Sequence, residues 1–159
     1  MALVASTEAV EQAKIDDDSL DKNRIGVIIG SGIGGINTFE EQHKRLLNNP
    51  RRVSPFFIPS MISDIASGQV SIKYGFKGPN YCVVSACATA THAIGNAYRM
   101  IQYGDADVIV TGGADASITP MAVSGFSNMK ALTKNSDPKT ASRPFDAERD
   151  GFVMGEGAG

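Results

Sequence analysis

Cysteine is scarce in this 159-residue chain, which has only Cys82 and Cys87. Two cysteines in so long a chain build no disulfide framework, and they point to a reducing, cytoplasmic compartment. A surplus of either charge is also missing. Fifteen Lys and Arg against 17 Asp and Glu leave a net charge of −2, which gives no electrostatic case for nucleic acid or an anionic membrane as partner. No apolar run approaches the roughly 20 residues of a membrane-spanning helix. The opening "MALVASTEAVEQAK" lacks a basic segment followed by an apolar core, so it reads as an amphipathic helix and not as a signal peptide. The acidic run at 16–18 has no further ligands spaced around it and is read as solvated surface, with no metal site expected. What remains is 42% hydrophobic and 20% charged residues, the composition of a soluble globular protein, in a length that suits one domain.

Along the chain, apolar positions Leu3, Ala5, Ala9, Val10 and Ala13 have helical spacing. "IGVIIG" is a short apolar run between glycines and predicts a buried strand. "INTFEEQHKRLLNN" predicts an amphipathic helix stopped by Pro50, and "RRVSPFFIPSM", with two prolines, a loop. A helix is expected from Ser63, then a strand over "YCVVS" that feeds directly into another helix. That helix carries a small or apolar stripe of Ala90, Ala93, Ile94, Ala97, Met100 and Ile101, with Gly104 as its terminating residue. "ADVIVTGGAD" predicts a further buried strand, and residues 118–159 loops with short helices. Alternation of strands and helices implies an α/β fold with mainly parallel strands. The chain starts inside a helical pattern and stops at "GEGAG", so it is expected to be a piece of a longer protein with Met1 as an internal residue.

Three motifs bear on chemistry. "GSGIGG" fits the G-x-G-x-x-G dinucleotide pattern. The acidic residue that should follow the next strand is lacking, because "PRRVSPFFIPSM" holds that place. The glycines therefore read as a tight turn beside something bulky. Cys87 falls at a strand–helix junction, where free backbone N–H groups and the helix dipole favour a thiolate and small neighbours leave the sulfur accessible. A nucleophile and a buried structural cysteine are both open readings at this point, whereas Cys82, in mid-strand, reads as structural. His92 is a poor partner for Cys87. Five helical residues turn the side chain by about 500°, roughly 140° away from the cysteine, and place it with Asn96, Arg99 and Tyr103. His43 reads as a solvated helix residue, and the charges of "SRPFDAERDGFVMGEGAG" as a salt-bridged structural loop.

Taken together, "VSACATATHAIGNAYRMIQYGDADVIVTGGAD", "GFSNMKALT", "ASRPFDAERDGFVMGEGAG", "GSGIGG" and "SPFFIPSMI" closely resemble the elongating, type II branch of the β-ketoacyl-[acyl carrier protein] synthases. The resemblance implies a thiolase-like layered α-β-α-β-α fold, usually homodimeric, of which this chain would be most of the first half without its opening strand. It implies a condensing enzyme of fatty acid synthesis that works with acyl and malonyl forms of acyl carrier protein and needs neither cofactor nor metal. Cys87 matches the family's acyl-accepting nucleophile, Ile33 the floor of the acyl pocket, Phe57 a residue reaching that pocket from the partner subunit, and Phe126 one at its mouth. Arg51, Arg52 and Lys130 match positions where basic residues meet the acidic carrier protein. The family's two histidine motifs and its lysine are not matched, and neither His43 nor His92 corresponds to them. The rival readings are a cysteine hydrolase, a thiolase-type or polyketide acyltransferase, and a non-catalytic scaffold relative, the last disfavoured by the presence of Cys87.

Overall fold

Strand β1 (Ile25–Gly30) is buried at every residue because helices cover both of its faces. The computed structural model describes residues 1–159 and divides into two compact units, Met1–Ala116 with Gly157–Gly159, and Ser117–Glu156. In the first unit, Ile25, Val27 and Ile29 join Val10, Val70, Tyr74, Phe76 and Val110 in one cluster. Val10 comes from α1 (Ala2–Ala13), Val70 and Tyr74 from α4 (Ile65–Tyr74), Phe76 from the segment just after it, and Val110 from β3 (Val108–Asp115). On the opposite face Ile28 packs on Ala93 and Ala97 of α5 (Thr89–Gln102). The result is an α-β-α sandwich, and covered parallel strands of this kind lose the polar alternation of a half-exposed sheet. The sheet runs β2 (Asn80–Tyr81), β1, β3, β4 (Gly157–Ala158). Its first three strands are parallel, and β4 lies antiparallel to β3.

The register of β1 on β3, Ile25 opposite Val108, is fixed just before the strands begin. Arg24 donates from Nη2 to Asp107 (2.7 Å) and to the Gly104 carbonyl (2.8 Å), and the Asp107 amide donates to Arg24 O (2.9 Å). The guanidinium hydrogen bond holds the Asp107 carboxyl below its ordinary range. Gly104 follows α5 with φ 81°, the left-handed conformation expected of a residue that ends a helix.

Two local expectations are corrected. The stretch 51–61 is not simply a loop. After α2 (Ile36–Asn48), Asn49 caps a 3-10 turn at Pro50–Arg52, accepting from the Arg51 amide at 3.0 Å, and a short helix α3 covers Phe57–Met61. Pro59 is tolerated there because it sits in the first turn, where no intrahelical N–H is required. The strand expected over "YCVVS" ends almost at once, at Tyr81. Ser67, fully buried on α4, places its hydroxyl where the ladder would continue. It accepts from the Ile29 amide (2.9 Å) and donates to Tyr81 O (3.0 Å). With that amide taken, residues 82–85 leave the sheet, so Cys82 is not a mid-strand residue.

The stripe on α5 also divides by size. Ala93 and Ala97 are buried, whereas Ile94 is 53% and Ile101 43% exposed.

In the second unit Thr119 caps α6 (Pro120–Asn128), accepting from the Ala122 amide, and Pro120 occupies the first turn. Phe126 meets Phe152 edge-on with centroids 5.3 Å apart. The charges of this unit are not a salt-bridged loop. Asp150 accepts from Thr133 Oγ1 (2.5 Å) and the Lys134 amide (2.9 Å), and Arg149 donates to the Asp146 carbonyl (2.7 Å). The ion pairs, Lys22 with Asp16 and Asp18 and Arg24 with Asp107, lie in the first unit.

Candidate active site

Two glycines that face each other in the ladder, Gly30 at the end of β1 and Gly113 near the end of β3, set how closely the next helix approaches. A Cβ on Gly30 would overlap Thr89 Cγ2, and one on Gly113 would fall 2.8 Å from the Ala90 Cβ. The first turn of α5 therefore rests directly on the carboxyl ends of the strands. Thr89 is buried there, and its Oγ1 accepts from the Ser85 amide at 2.8 Å. The chain between them closes a 3-10 turn, Ala86–Ala88, in which the Ala88 amide donates to Ser85 O at 3.1 Å.

Cys87 occupies the middle of that turn and is exposed. Ala86, immediately before it, has φ 51°. A left-handed non-glycine residue costs roughly 1–2 kcal/mol, and such residues collect where a side chain must be presented in one direction. The sequence expectation is thus corrected in detail. Cys87 does lie just before α5, two residues ahead of Thr89, but an irregular segment and not a strand feeds it. A depression lined by Gly30, Ala86, Cys87, Thr89, Gly113 and Asp115 surrounds it. This is the carboxyl end of a parallel sheet, where α/β proteins bind their ligands. Cys82 has the opposite environment. Burial pushes its thiol up, its Sγ accepts from the Ser31 amide at 3.4 Å, and it donates to Val83 O at 3.1 Å.

The glycine turn adjoins this depression through Asp115, which the sequence reading did not single out. Its carboxylate accepts from Ser31 Oγ (3.0 Å), the Gly32 amide (3.0 Å) and the Ile33 amide (3.5 Å). A dinucleotide site would present these amides to a phosphate; here an internal carboxylate occupies them, which gives a physical reason to set that reading aside. The available signal was an acid ending a buried strand in "VIVTGGAD". On the other side of the turn, Gly34 adopts φ 73° and Gly35 donates to Met61 O at 2.9 Å, so α3 supplies the bulky neighbour.

The remaining sequence candidates divide by place. Ile33 projects from the glycine turn, 43% exposed, and the position of a Cβ on Gly32 lies 3.5 Å from Ala86 O, so its turn and that of Cys87 touch. Phe57 opens α3, half-buried, and is not among the residues lining the depression. Arg51 and Arg52 are exposed on the 3-10 turn, and Arg52 shares a surface groove with Arg45 and Asn48. Phe126 and Lys130 belong to the second unit; Phe126 is half-buried against Phe152, and Lys130 is exposed with φ 57°. His43 stacks on Phe39 with ring centroids 6.1 Å apart. His92 is exposed, as expected off the buried stripe, and its Nδ1 lies 2.6 Å from Ser85 Oγ. No His, Cys, Asp or Glu cluster of metal-binding size is present, and no helix is long and apolar enough to cross a membrane.

The family model described as beta-ketoacyl synthase, N-terminal domain, matches residues 1–159. Over 159 residues the chain is 58% identical to 3-oxoacyl-[acyl-carrier-protein] synthase 2 of Staphylococcus aureus, covering 99% of this chain and 40% of that protein. It is 50% identical to the protein of the same name from Synechocystis, covering 99% and 38%. The chain thus spans about 40% of the length of the curated relatives it matches. Among solved structures it is similar to a beta-ketoacyl synthase from Burkholderia phymatum, with TM-score 0.88 and 33% identity, covering 99% of this chain and 39% of that one. It is also similar to a chain from the complex of a type II polyketide acyl-carrier protein with its ketosynthase bound to the hexaketide, with TM-score 0.90 and 29% identity, covering 99% and 40%.

Proposed function

The chain belongs to the β-ketoacyl synthase family, whose N-terminal domain it matches throughout, and from that premise we propose that it carries the acyl-accepting half of an elongating condensing enzyme of fatty acid synthesis. The Cys87 sulfur attacks the thioester carbonyl of an acyl-loaded acyl carrier protein. The carrier's thiol leaves, and the acyl group remains on Cys87. Malonyl carrier protein then loses CO2. The resulting carbanion attacks the Cys87 thioester, forms the new C–C bond of a 3-oxoacyl carrier protein and expels the Cys87 thiolate. Covalent capture splits one difficult step into two easier ones. The Cys87 N–H would contribute to holding the thioester oxyanion.

The observation that carries this reading is the exposed cysteine, held in a left-handed turn at the carboxyl ends of β1 and β3. Ile33 would close the floor of the acyl pocket, Phe126 would line its mouth, and Phe57 would reach it from the partner subunit of a homodimer. Arg51, Arg52 and Lys130 would receive the acidic carrier protein. These 159 residues would form the first α-β-α half of a five-layered fold, and the histidines that stabilise the enolate would come from outside them. The curated relatives at 58% and 50% identity, both named as 3-oxoacyl-[acyl-carrier-protein] synthases, favour fatty acid over polyketide chemistry. The decisive test is intact-mass analysis of the protein as its gene encodes it after incubation with acyl carrier protein. The reading requires one acyl adduct that maps to Cys87 and is lost in Cys87→Ala; an adduct retained in that variant defeats it.

A further inference from the structure

We infer that His92 is a positioning residue for Cys87, acting through Ser85. The nucleophile's turn begins at Ser85, whose backbone lies at φ −150°, ψ 43°, and continues through Ala86 at φ 51°. Ser85 lies outside the main allowed wells and Ala86 is a non-glycine residue in the left-handed one, a succession that persists only where its surroundings over-determine it. Ser85 has the required restraints at three atoms. Its amide donates to Thr89 Oγ1 (2.8 Å), its carbonyl accepts from the Ala88 amide (3.1 Å), and its Oγ is 2.6 Å from His92 Nδ1. The first two restraints come from the turn itself and from the first residue of α5. Only the third comes from further along the helix, where the backbone is held by its own hydrogen bonds. His92 thus ties the residue that starts the turn to a rigid element.

The imidazole suits this task in each of its forms. A bare Nδ1 accepts from the serine hydroxyl, and a protonated Nδ1 donates to the serine oxygen. Its helical angle, which removes it as a direct partner for Cys87, is what brings it to Ser85. The inference rests on the reading of Cys87 as the acyl acceptor, but part of its test does not.

The experiment uses the protein as its gene encodes it, with His92→Ala, His92→Asn, Ser85→Ala and the double alanine variant. Asparagine presents a polar atom close to the place of Nδ1. The first readout is hydrogen exchange at the Ala88 amide, the bond that closes the turn, with the Val27 amide of β1 as control for the global fold. The second is the maximal rate of Cys87 acylation, separated from the KM for acyl carrier protein. Losing one hydrogen bond should speed Ala88 exchange and slow acylation, each about 3- to 10-fold, with KM unchanged. His92→Asn should recover most of both, and the double variant should be no worse than either single one. Unchanged Ala88 exchange, additive losses, a raised KM alone, or an asparagine variant as poor as alanine would each overturn the inference. If His92→Ala also exposes Val27, Ser85→Ala and His92→Asn still decide it. Should the wild type fail to acylate while the Ala88 pattern holds, the acyl-acceptor reading falls and the positioning role stands.

Discussion

At the scale of single residues, the two cysteines show how environment divides one chemistry. Cys87 is exposed in its turn, whereas burial pushes the Cys82 thiol up and leaves a smaller thiolate fraction at neutral pH. Limiting iodoacetamide followed by peptide mapping should therefore label Cys87 first, and preferential labelling of Cys82 would contradict the assignment. Ile33 offers a second test. It is the one bulky residue in "GSGIGG", and its turn touches that of Cys87. If its side chain closes the acyl pocket, Ile33→Phe should burden long acyl groups with an overpacking cost of about 1–3 kcal/mol that short groups escape. Discrimination of about 5- to 150-fold then follows in the rate of Cys87 acylation by long against short acyl carrier proteins. Uniform slowing at all lengths would place Ile33 in the scaffold.

At the scale of elements, the facing glycines of β1 and β3 let α5 pack beside the candidate site. Gly30→Ala puts a methyl into Thr89, a residue α5 cannot move without shifting its first turn. The variant should lose roughly 1–3 kcal/mol in urea unfolding and lose acylation of Cys87 as well. Wild-type acylation in a destabilised variant would separate the helix seat from the site. Elements on this scale were readable in sequence where one local pattern decides them. The continuous apolar run of β1, the amphipathic α2, the course of α5 and the run of β3 are of this kind. What could not be read depends on contacts distant in sequence. Nothing in "YCVVS" says that Ser67, from the preceding helix, will end the strand, and nothing in "PFFIPSM" says that Pro59 falls early enough in a turn to permit a helix. Helical spacing gathered Ala93 and Ile94 into one stripe, but only the alanines let α5 sit close to the sheet. The site followed the same rule. Cys87 became a candidate from its place just before a helix, whereas Asp115 became one only once its carboxylate was seen to hold the glycine turn.

At the scale of the molecule, the chain spans about 40% of its curated relatives. Large apolar side chains stand exposed on it, among them Tyr98 (66%), Leu47 (74%) and Phe56 (71%). The proposed function accordingly assigns these 159 residues acyl transfer alone. Purified by themselves, they should form no 3-oxoacyl product from malonyl carrier protein and an acyl donor, and product at the level of the full-length protein would refute the division of labour. The net charge of −2 gives no attraction for an acidic carrier protein, so any steering must come from local groups. Exposed charges at the rim of an interface act mainly on encounter rate and salt dependence, and less on the chemical step. Arg51 and Arg52 meet that description on their exposed turn, and Lys130 on its own unit. Changing all three to Glu should therefore raise the KM for carrier-bound acyl substrate several-fold or more. It should leave the KM for a small acyl thioester, which has no carrier to dock, near wild type, and added salt should narrow the gap between the two proteins. An equal rise for both substrates would move these residues from the docking surface to the path that any thioester takes to Cys87.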